Sequence, residues 1–444
     1  MRILALAFAA LLALPSAAAT VVFRNVNVVS MTSPKVAEKQ TVVVSDGKIG
    51  SILKEGAMVK LPADTTVVDG TGKYLMPGLA DMHAHIPPPN SPNGLLSDVL
   101  ALYLANGVTT ARTMFGHDGQ LNLREWSRKG EIVSPILYVA GPGFTGESVH
   151  SAQEAIDMVR AQKKEGWDLV KVLPGLTLEE YDAIAKTAKS EGIRFGGHVP
   201  ETVGLTHALE MGQETIDHLD GYIEYLGGDK GPIDEKKLAA IVKKSKAAGV
   251  WVVPTSALWD VLFDGTPLAT LNAYPELQYV PQNAVTMWGK MYEARTKQIP
   301  DDVRKNVLAN RTRILRALHE GGVKILLGSD APQQYTVPGF ALHHEVTFLR
   351  DAGLSPYEIL KTATVNAGQY FEKQDSFGTV ETGKRADLLL LNGNPLADVT
   401  NIDKIEGVMV GGKWYSRKDL DERLAKIETR YARKTAAPAE PATP

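Results

Sequence analysis

The nine residues GLADMHAHI, residues 78–86, close a short apolar run with two histidines one position apart. In an extended strand, side chains two apart face the same way, so His83 and His85 point together. The whole chain of 444 residues has only ten histidines. Taken alone, the pair is either an ordinary polar strand end or half of a metal site. The rest of the chain decides between the two.

From residue 78 onward, apolar strands alternate with amphipathic helices. Strands are expected over 79–85, 108–114, 136–140, 169–173, 194–199, 215–220, 250–254 and 323–330. Helical stretches follow most of them, such as TLEEYDAIAKTAKSEG, DEKKLAAIVKKSKAAG and RKNVLANRTRILRALHEGG, each closing on a glycine that stops the helix. Eight β-then-α units predict an α/β fold, a (β/α)8 TIM barrel spanning residues 78–377. After the seventh strand, residues 256–300 are long, aromatic and irregular, the pattern of a lid over the barrel mouth or of a disordered insertion. Trp259, Tyr274, Tyr279 and Trp288 favour the ordered lid.

Outside the barrel the period changes. Residues 20–77 alternate apolar and polar positions around hairpin-type turns such as SDGK and DGTGK, but hold too few strands to close a core. Matching material returns as GTVETGKRADLLLLNGNP and IEGVMVGGKWY. Residues 20–77 and 378–417 are therefore expected to combine into one composite β-sandwich. A charged helix and a disordered Pro/Ala-rich tail should fill 418–444.

At the other end, MRILALAFAALLALPSAAAT places Arg2 before an apolar run and small residues after it, the layout of a cleavable secretory signal over residues 1–19. Cleavage is expected after Ala19, giving a periplasmic or secreted protein. The apolar run is too short to span about 30 Å of hydrocarbon, and no later stretch is long enough. A net charge of -3 carries no basic signature for nucleic acid or an anionic membrane. The expected partner is a small-molecule substrate, and homo-oligomerisation is compatible with the sequence. With no cysteine, disulfides are excluded, and any metal must be held by histidine and oxygen ligands.

The other strand ends supply such ligands. In DLVKVL, Val170 and Val172 face the helix layer, so Lys171 faces the interior. Unpaired there, it bears a desolvation penalty of several kcal/mol or loses its proton; the alternative is a buried ion pair. FGGHV places His198 at the end of strand five, TIDHLD places His218 at the end of strand six, and LLGSD places Asp330 at the end of strand eight. Six metal-competent or metal-supporting groups thus gather at the face where barrel active sites form.

The motifs MPGLADMHAH, LVKVL, GGHVP, TIDHLDG, LLGSDAP and GTVETGKRADLLLLNGNPLADV resemble the metal-dependent amidohydrolase superfamily, in particular its imidazolonepropionase-related and prolidase-like binuclear branch. The resemblance covers nearly all of the mature chain. It implies that His83, His85 and Asp330 hold one divalent ion and that His198 and His218 hold a second. It further implies that Lys171 carries a carbon dioxide adduct bridging both. Histidine and oxygen ligands suit zinc best, with manganese, iron or cobalt as alternatives. The implied reaction is attack of a metal-activated hydroxide on the amide carbonyl of a dipeptide or N-acyl amino acid, with Asp330 as catalytic proton shuttle.

Several further residues are candidates for substrate contact. Tyr222 and Tyr225, after strand six, would either support a developing oxyanion or pack the loop. His117 and His150 lie in loops at the same face, and Arg112 would pair with a substrate carboxylate or form a structural salt bridge. His207 and His319 are expected to be structural or solvated, and the run from His343 to Glu345 to be helix surface. Competing functions are a mononuclear deaminase using the His-x-x-Glu spacing of His198 and Glu201, a lactone or cyclic-amide ring-opening hydrolase, and a non-catalytic binding protein. Lys171 is the residue a mononuclear deaminase would not need.

Overall fold

The computed structural model describes residues 20–54 and 56–432; the expected signal segment and the Pro/Ala-rich tail lie outside them. All eight expected parallel strands form in the expected order. Leu79–Ala84, Val108–Thr113 and Ile136–Val139 make one parallel sheet. Leu169–Val172, Arg194–Gly197, Thr215–Asp217, Trp251–Val253 and Lys324–Ile325 make a second. Isolated parallel bridges lie at both seams between the sheets, Ala140 with Leu169 and Ala84 with Ala331.

Helices fill the intervals for local reasons. Leu178–Glu191 starts in a capping box, the Thr177 hydroxyl accepting from the Glu180 N–H while the Glu180 carboxylate accepts from that of Thr177. It ends where Gly192 takes φ 63°, a left-handed conformation open to glycine. Glu235–Ala248 starts on the Asp234 side chain and stops the same way at Gly249. The buried faces of these helices pack with the strands in one core, the strands being buried along most of their length even where they carry polar residues.

The eighth strand is much shorter than expected. Only Lys324–Ile325 is in the ladder, because the chain then turns to bond the first strand. Met82 N–H donates to Leu327 O (2.8 Å), Asp330 N–H to His83 O (2.7 Å) and His85 N–H to Ala331 O (2.8 Å). The buried Asp81 carboxylate accepts from the Ser329 N–H (3.1 Å), from the Ser329 hydroxyl and from the His83 N–H (3.1 Å). One carboxylate thereby fixes the strand ends that carry His83 and Asp330.

The terminal segments do combine, as one eight-stranded mixed sheet in place of two separately bonded layers. Val21–Val29 is the cause. One edge pairs with Val36–Ser45, while the other pairs first with Thr66–Asp69 and then, past a left-handed Asn25 (φ 55°), with Tyr74–Pro77. Tyr74–Pro77 in turn pairs with Leu388–Leu391, so hydrogen bonding runs unbroken from the N-terminal to the C-terminal strands. Arg417–Tyr431 is helical, burying Leu420 and Ile427 and tying Arg430 and Tyr431 to Asp98.

Residues 256–300 are helical: Ser256–Leu262, Leu268–Leu271, the 3-10 turn Pro275–Tyr279 and Gln282–Thr296. They pack on the loop after strand eight. Tyr335 donates to Asn272 (2.8 Å), Arg295 to Gln334 (2.9 Å), and Trp288 lies 5.5 Å from the Tyr335 ring. No helix among the described residues is long and apolar enough to cross a membrane.

Candidate metal centre

The ends of five strands bring the six predicted groups together. Ligand atoms of His83, His218 and Asp330, all buried, lie within 4.8 Å of one another. His85 Nε2 is 2.7 Å from Asp330 Oδ1, and His83 Nε2 is 3.6 Å from the same oxygen. The His198 and His218 rings are 4.5 Å apart, as are those of His83 and His218. Lys171 Nζ, 1 % exposed, sits 3.5 Å from His83 Nε2 and 3.6 Å from Asp217 Oδ2.

Two imidazoles, His198 and His218, are hydrogen-bonded through Nδ1, while His83 Nδ1 and Asp217 Oδ2 approach closely with neither atom in a hydrogen bond. His83 Nδ1 is 2.8 Å from Asp217 Oδ2, His198 Nδ1 is 2.6 Å from Asp220 Oδ2, and His218 Nδ1 is 2.7 Å from Thr255 Oγ1. An ionised carboxylate only accepts, so it selects the tautomer with the proton on Nδ1 and leaves the Nε2 lone pair directed elsewhere. His218 Nε2 is buried with no hydrogen-bond partner. An orphaned imidazole nitrogen beside two other histidines and a carboxylate fits a divalent cation, and oriented imidazoles are what metal sites use.

The backbone is adapted to the same end. His218 (φ 65°), Leu219 (φ 58°), Thr255 (φ 46°) and Asp330 (φ 58°) all occupy the left-handed region, costly for non-glycine residues and concentrated at functional sites. Arg311, buried, donates to the carbonyls of His218 (2.7 Å) and Pro254 (3.0 Å), stabilising two of these turns. Gly197 makes room for the lysine: a Cβ there would stand 2.6 Å from Lys171 Cδ.

Charge follows geometry. Burial, reinforced by the Lys171 charge, holds the His83 imidazole well below its ordinary value; burial and His198 do the same to His218, so both stay neutral, the form that ligates metals. Burial also lowers the Lys171 amine, against the pull of Asp217 and Asp330. Burial would raise the Asp330 carboxyl, but His83, the hydrogen bond from His85 and Lys171 outweigh it and bring it to about 2. Asp81 goes the other way, pushed up to about 7 by burial despite its three donors.

The remaining candidates fare differently. His117 is half-buried against Phe115 (ring centroids 5.2 Å apart), its proton affinity lowered by burial and by the nearby His85, which places it beside the centre. His150 is exposed, its N–H donating to Glu154. Tyr225 is 43 % exposed on the surface of helix Tyr222–Leu226. Tyr222 is a correction: fully buried, its hydroxyl is paired with Ser245 Oγ (2.7 Å), so it packs the loop and supports no oxyanion. Arg112 is another: it faces the interior with no exposed surface and takes the structural alternative. Glu201 is exposed, and the partner of His198 is Asp220.

His207 and His319 pair with Asp182 and Glu358, as structural residues do. The expected helix surface at His343 to Glu345 is also corrected. His343 bonds Asp403 and the Asn106 carbonyl, His344 lies 2.6 Å from Glu276, and Glu345 is fully buried, accepting from the Ala257 N–H (2.7 Å). Sequence reasoning missed Asp81, Asp217, Asp220, Thr255, Arg311 and Gln333, whose amide donates to Asp330 Oδ1 (2.8 Å). The three aspartates lie within two residues of a candidate ligand histidine, the one signal that could have found them.

The model of the amidohydrolase family matches residues 74–415. The chain belongs to that family. It is an enzyme of the hydrolase class acting on carbon–nitrogen bonds. It is similar to an imidazolonepropionase of Fusobacterium nucleatum subsp. nucleatum, 24% identical over 421 residues, covering 84% of this chain and 88% of the relative. It is also similar to a 5'-deoxyadenosine deaminase of Methanosarcina mazei, 22% identical over 418 residues and covering 84% of each. Among solved structures, a putative prolidase from Bifidobacterium longum superposes with a TM-score of 0.68 at 24% identity, covering 93% of this chain and 100% of that one.

The centre's dependence on free space for the lysine is testable. Gly197→Ala, at φ 123°, would set a Cβ 2.6 Å from both Lys171 Cδ and the Val172 carbonyl oxygen, displacing the lysine and its strand, and is expected to lower metal affinity by about tenfold or more, the usual scale for disturbing groups that orient ligands. Metal analysis of the purified variant checks this, and wild-type occupancy would contradict it.

Proposed function

We propose that the chain is an exported, binuclear metal-dependent amidohydrolase cleaving the amide bond of a small substrate such as a dipeptide or an N-acyl amino acid. The eight parallel strands act as one closed TIM barrel over residues 78–377. The terminal segments, residues 20–77 and 378–417, are its companion domain. The observation that carries the proposal is Lys171, buried among the histidines with its amine 3.5 Å from His83 Nε2. A lysine cation there would repel divalent metals. A carbon dioxide adduct turns it into a two-oxygen anion that binds them, a group a single-ion site would not need.

His83, His85 and Asp330 would hold one ion, His198 and His218 the other, and the Lys171 adduct both; zinc suits these donors best. When bound, such ions would supply a water made nucleophilic at neutral pH and a polarised substrate carbonyl. The protein's own part is proton handling and orientation. Asp330 accepts the proton of the attacking water at a carboxylate oxygen and delivers it to the leaving amine. Asp217 and Asp220 keep the imidazoles aligned meanwhile. His117, beside His85, is positioned to meet the substrate. Substrate size is supported by the fold shared with the putative prolidase and by the imidazolonepropionase relative, both named for small substrates.

Lys171→Ala is expected to lose bound metal and nearly all hydrolysis of a dipeptide and N-acyl amino acid panel, with partial rescue by small carboxylic acids. Wild-type metal content in the variant would contradict the bridging role. The export proposal rests on residues 1–19, and the mature protein is expected to begin at Thr20. Its intact mass and the fraction that holds it read this directly; a full-length mass confined to the cytoplasmic fraction would refute it.

A further inference from the structure

Arg112 heads the largest fully buried side chains of the described residues. It projects from the second parallel strand into the interior. Its Nε donates to the carbonyl of Met82 (2.6 Å), the residue before His83. One terminal nitrogen donates to Thr215 Oγ1 (3.3 Å) and to the Tyr370 hydroxyl (3.1 Å). The other reaches Asp217 Oδ1 (3.5 Å), and Asp217 precedes His218. The second oxygen of Asp217 faces His83 Nδ1 at 2.8 Å. A single planar fork thus joins the strand carrying His83 to the strand that leads into His218, and holds the carboxylate that stands closest to His83 Nδ1, an ion-pair contact in which neither atom has a hydrogen-bond partner.

Burying a guanidinium is costly unless its donors are used, and here all three nitrogens have partners. A core filled for stability alone would be better served by apolar residues of similar volume. A fixed fork with one arm on a backbone carbonyl and another on a carboxylate instead specifies an angle between two strands, which a flexible ammonium cannot do.

We infer that Arg112 is a positioning residue for the metal centre, acting through Asp217 and the Met82 carbonyl to set the direction of His83 Nε2. The inference rests on the reading of His83 as a metal ligand. It goes beyond that reading by assigning the ligand's orientation to a residue on a strand that contributes no ligand.

The test is titration of metal-free enzyme with cobalt, followed by visible absorption, for the wild type, Arg112→Lys, Asp217→Asn and the double variant, with thermal unfolding of each metal-free protein alongside. Arg112→Lys keeps the charge but loses the fork, and cobalt affinity is expected to fall by about tenfold to a hundredfold. Asp217→Asn should produce a similar fall, and the double variant should be no weaker than the worse single, because the residues act as one unit. Additive losses, or wild-type cobalt affinity in folded Arg112→Lys, overturn the inference while leaving the metal centre standing. A wild-type protein that binds no cobalt overturns the metal reading and the inference with it. Should Arg112→Lys fail to fold, the near-isosteric Asp217→Asn decides: a weakened, spectrally altered cobalt site supports the inference, and an unchanged one overturns it.

Discussion

Everything around the centre follows from one constraint: a lysine buried at the end of a strand, enclosed by imidazoles, cannot remain an ordinary ammonium without a counter-charge. Desolvation of a lone cation costs several kcal/mol even after relaxation. The chain answers with two carboxylates. Asp217 lies 3.6 Å from the amine, and Asp330 exerts a longer-range pull on it. Both are themselves committed, Asp217 to His83 and Arg112, Asp330 to His85 and Gln333. The lysine is therefore held in place but only loosely neutralised, which suits the proposed conversion of its amine into an anionic carbon dioxide adduct.

The fold supplies the positions. Parallel strands end on a common face, so residues far apart in sequence converge without long connections. The price is local strain, with His218, Thr255 and Asp330 all left-handed. The compensation is specific: Arg311 bonds the His218 and Pro254 carbonyls, and the Asp330 N–H bonds the His83 carbonyl. Asp81, central to the junction of strands one and eight, is buried where its carboxyl rises to about 7. Two guanidiniums thus support the centre from different sides, Arg112 within the strand layer and Arg311 from the helix Asp301–Glu320.

The convergence of the proposed ligands was legible in the sequence where strand periodicity orients a side chain, whereas His218 and Asp330 stand past their strand ends in left-handed turns that no alternation fixes. His83 and His85 share a face, and Lys171 is inward because Val170 and Val172 are not. What supports the ligands was not legible. Arg112 was left between substrate contact and a structural salt bridge because nothing in TTARTM tells how far along a strand a long side chain reaches; that depends on Asp217, Thr215 and Tyr370, all distant in sequence. Tyr222 and Glu345 were misplaced for a related reason: their burial is decided by helices Glu235–Ala248 and Ser256–Leu262 packing over them. The terminal sheet was foreseen as a union of both ends, but its continuity depends on a bend at Asn25 that no alternation pattern reveals.

The most direct measurement is a crystal structure of the metal-loaded enzyme, with anomalous scattering collected at the edge of the bound metal. The account predicts two peaks flanking Lys171, one within bonding distance of His83, His85 and Asp330 and the other of His198 and His218, with density for a one-carbon extension beyond Nζ reaching both. A single peak, with Lys171 ending at an unmodified amine turned away from the imidazoles, would contradict it.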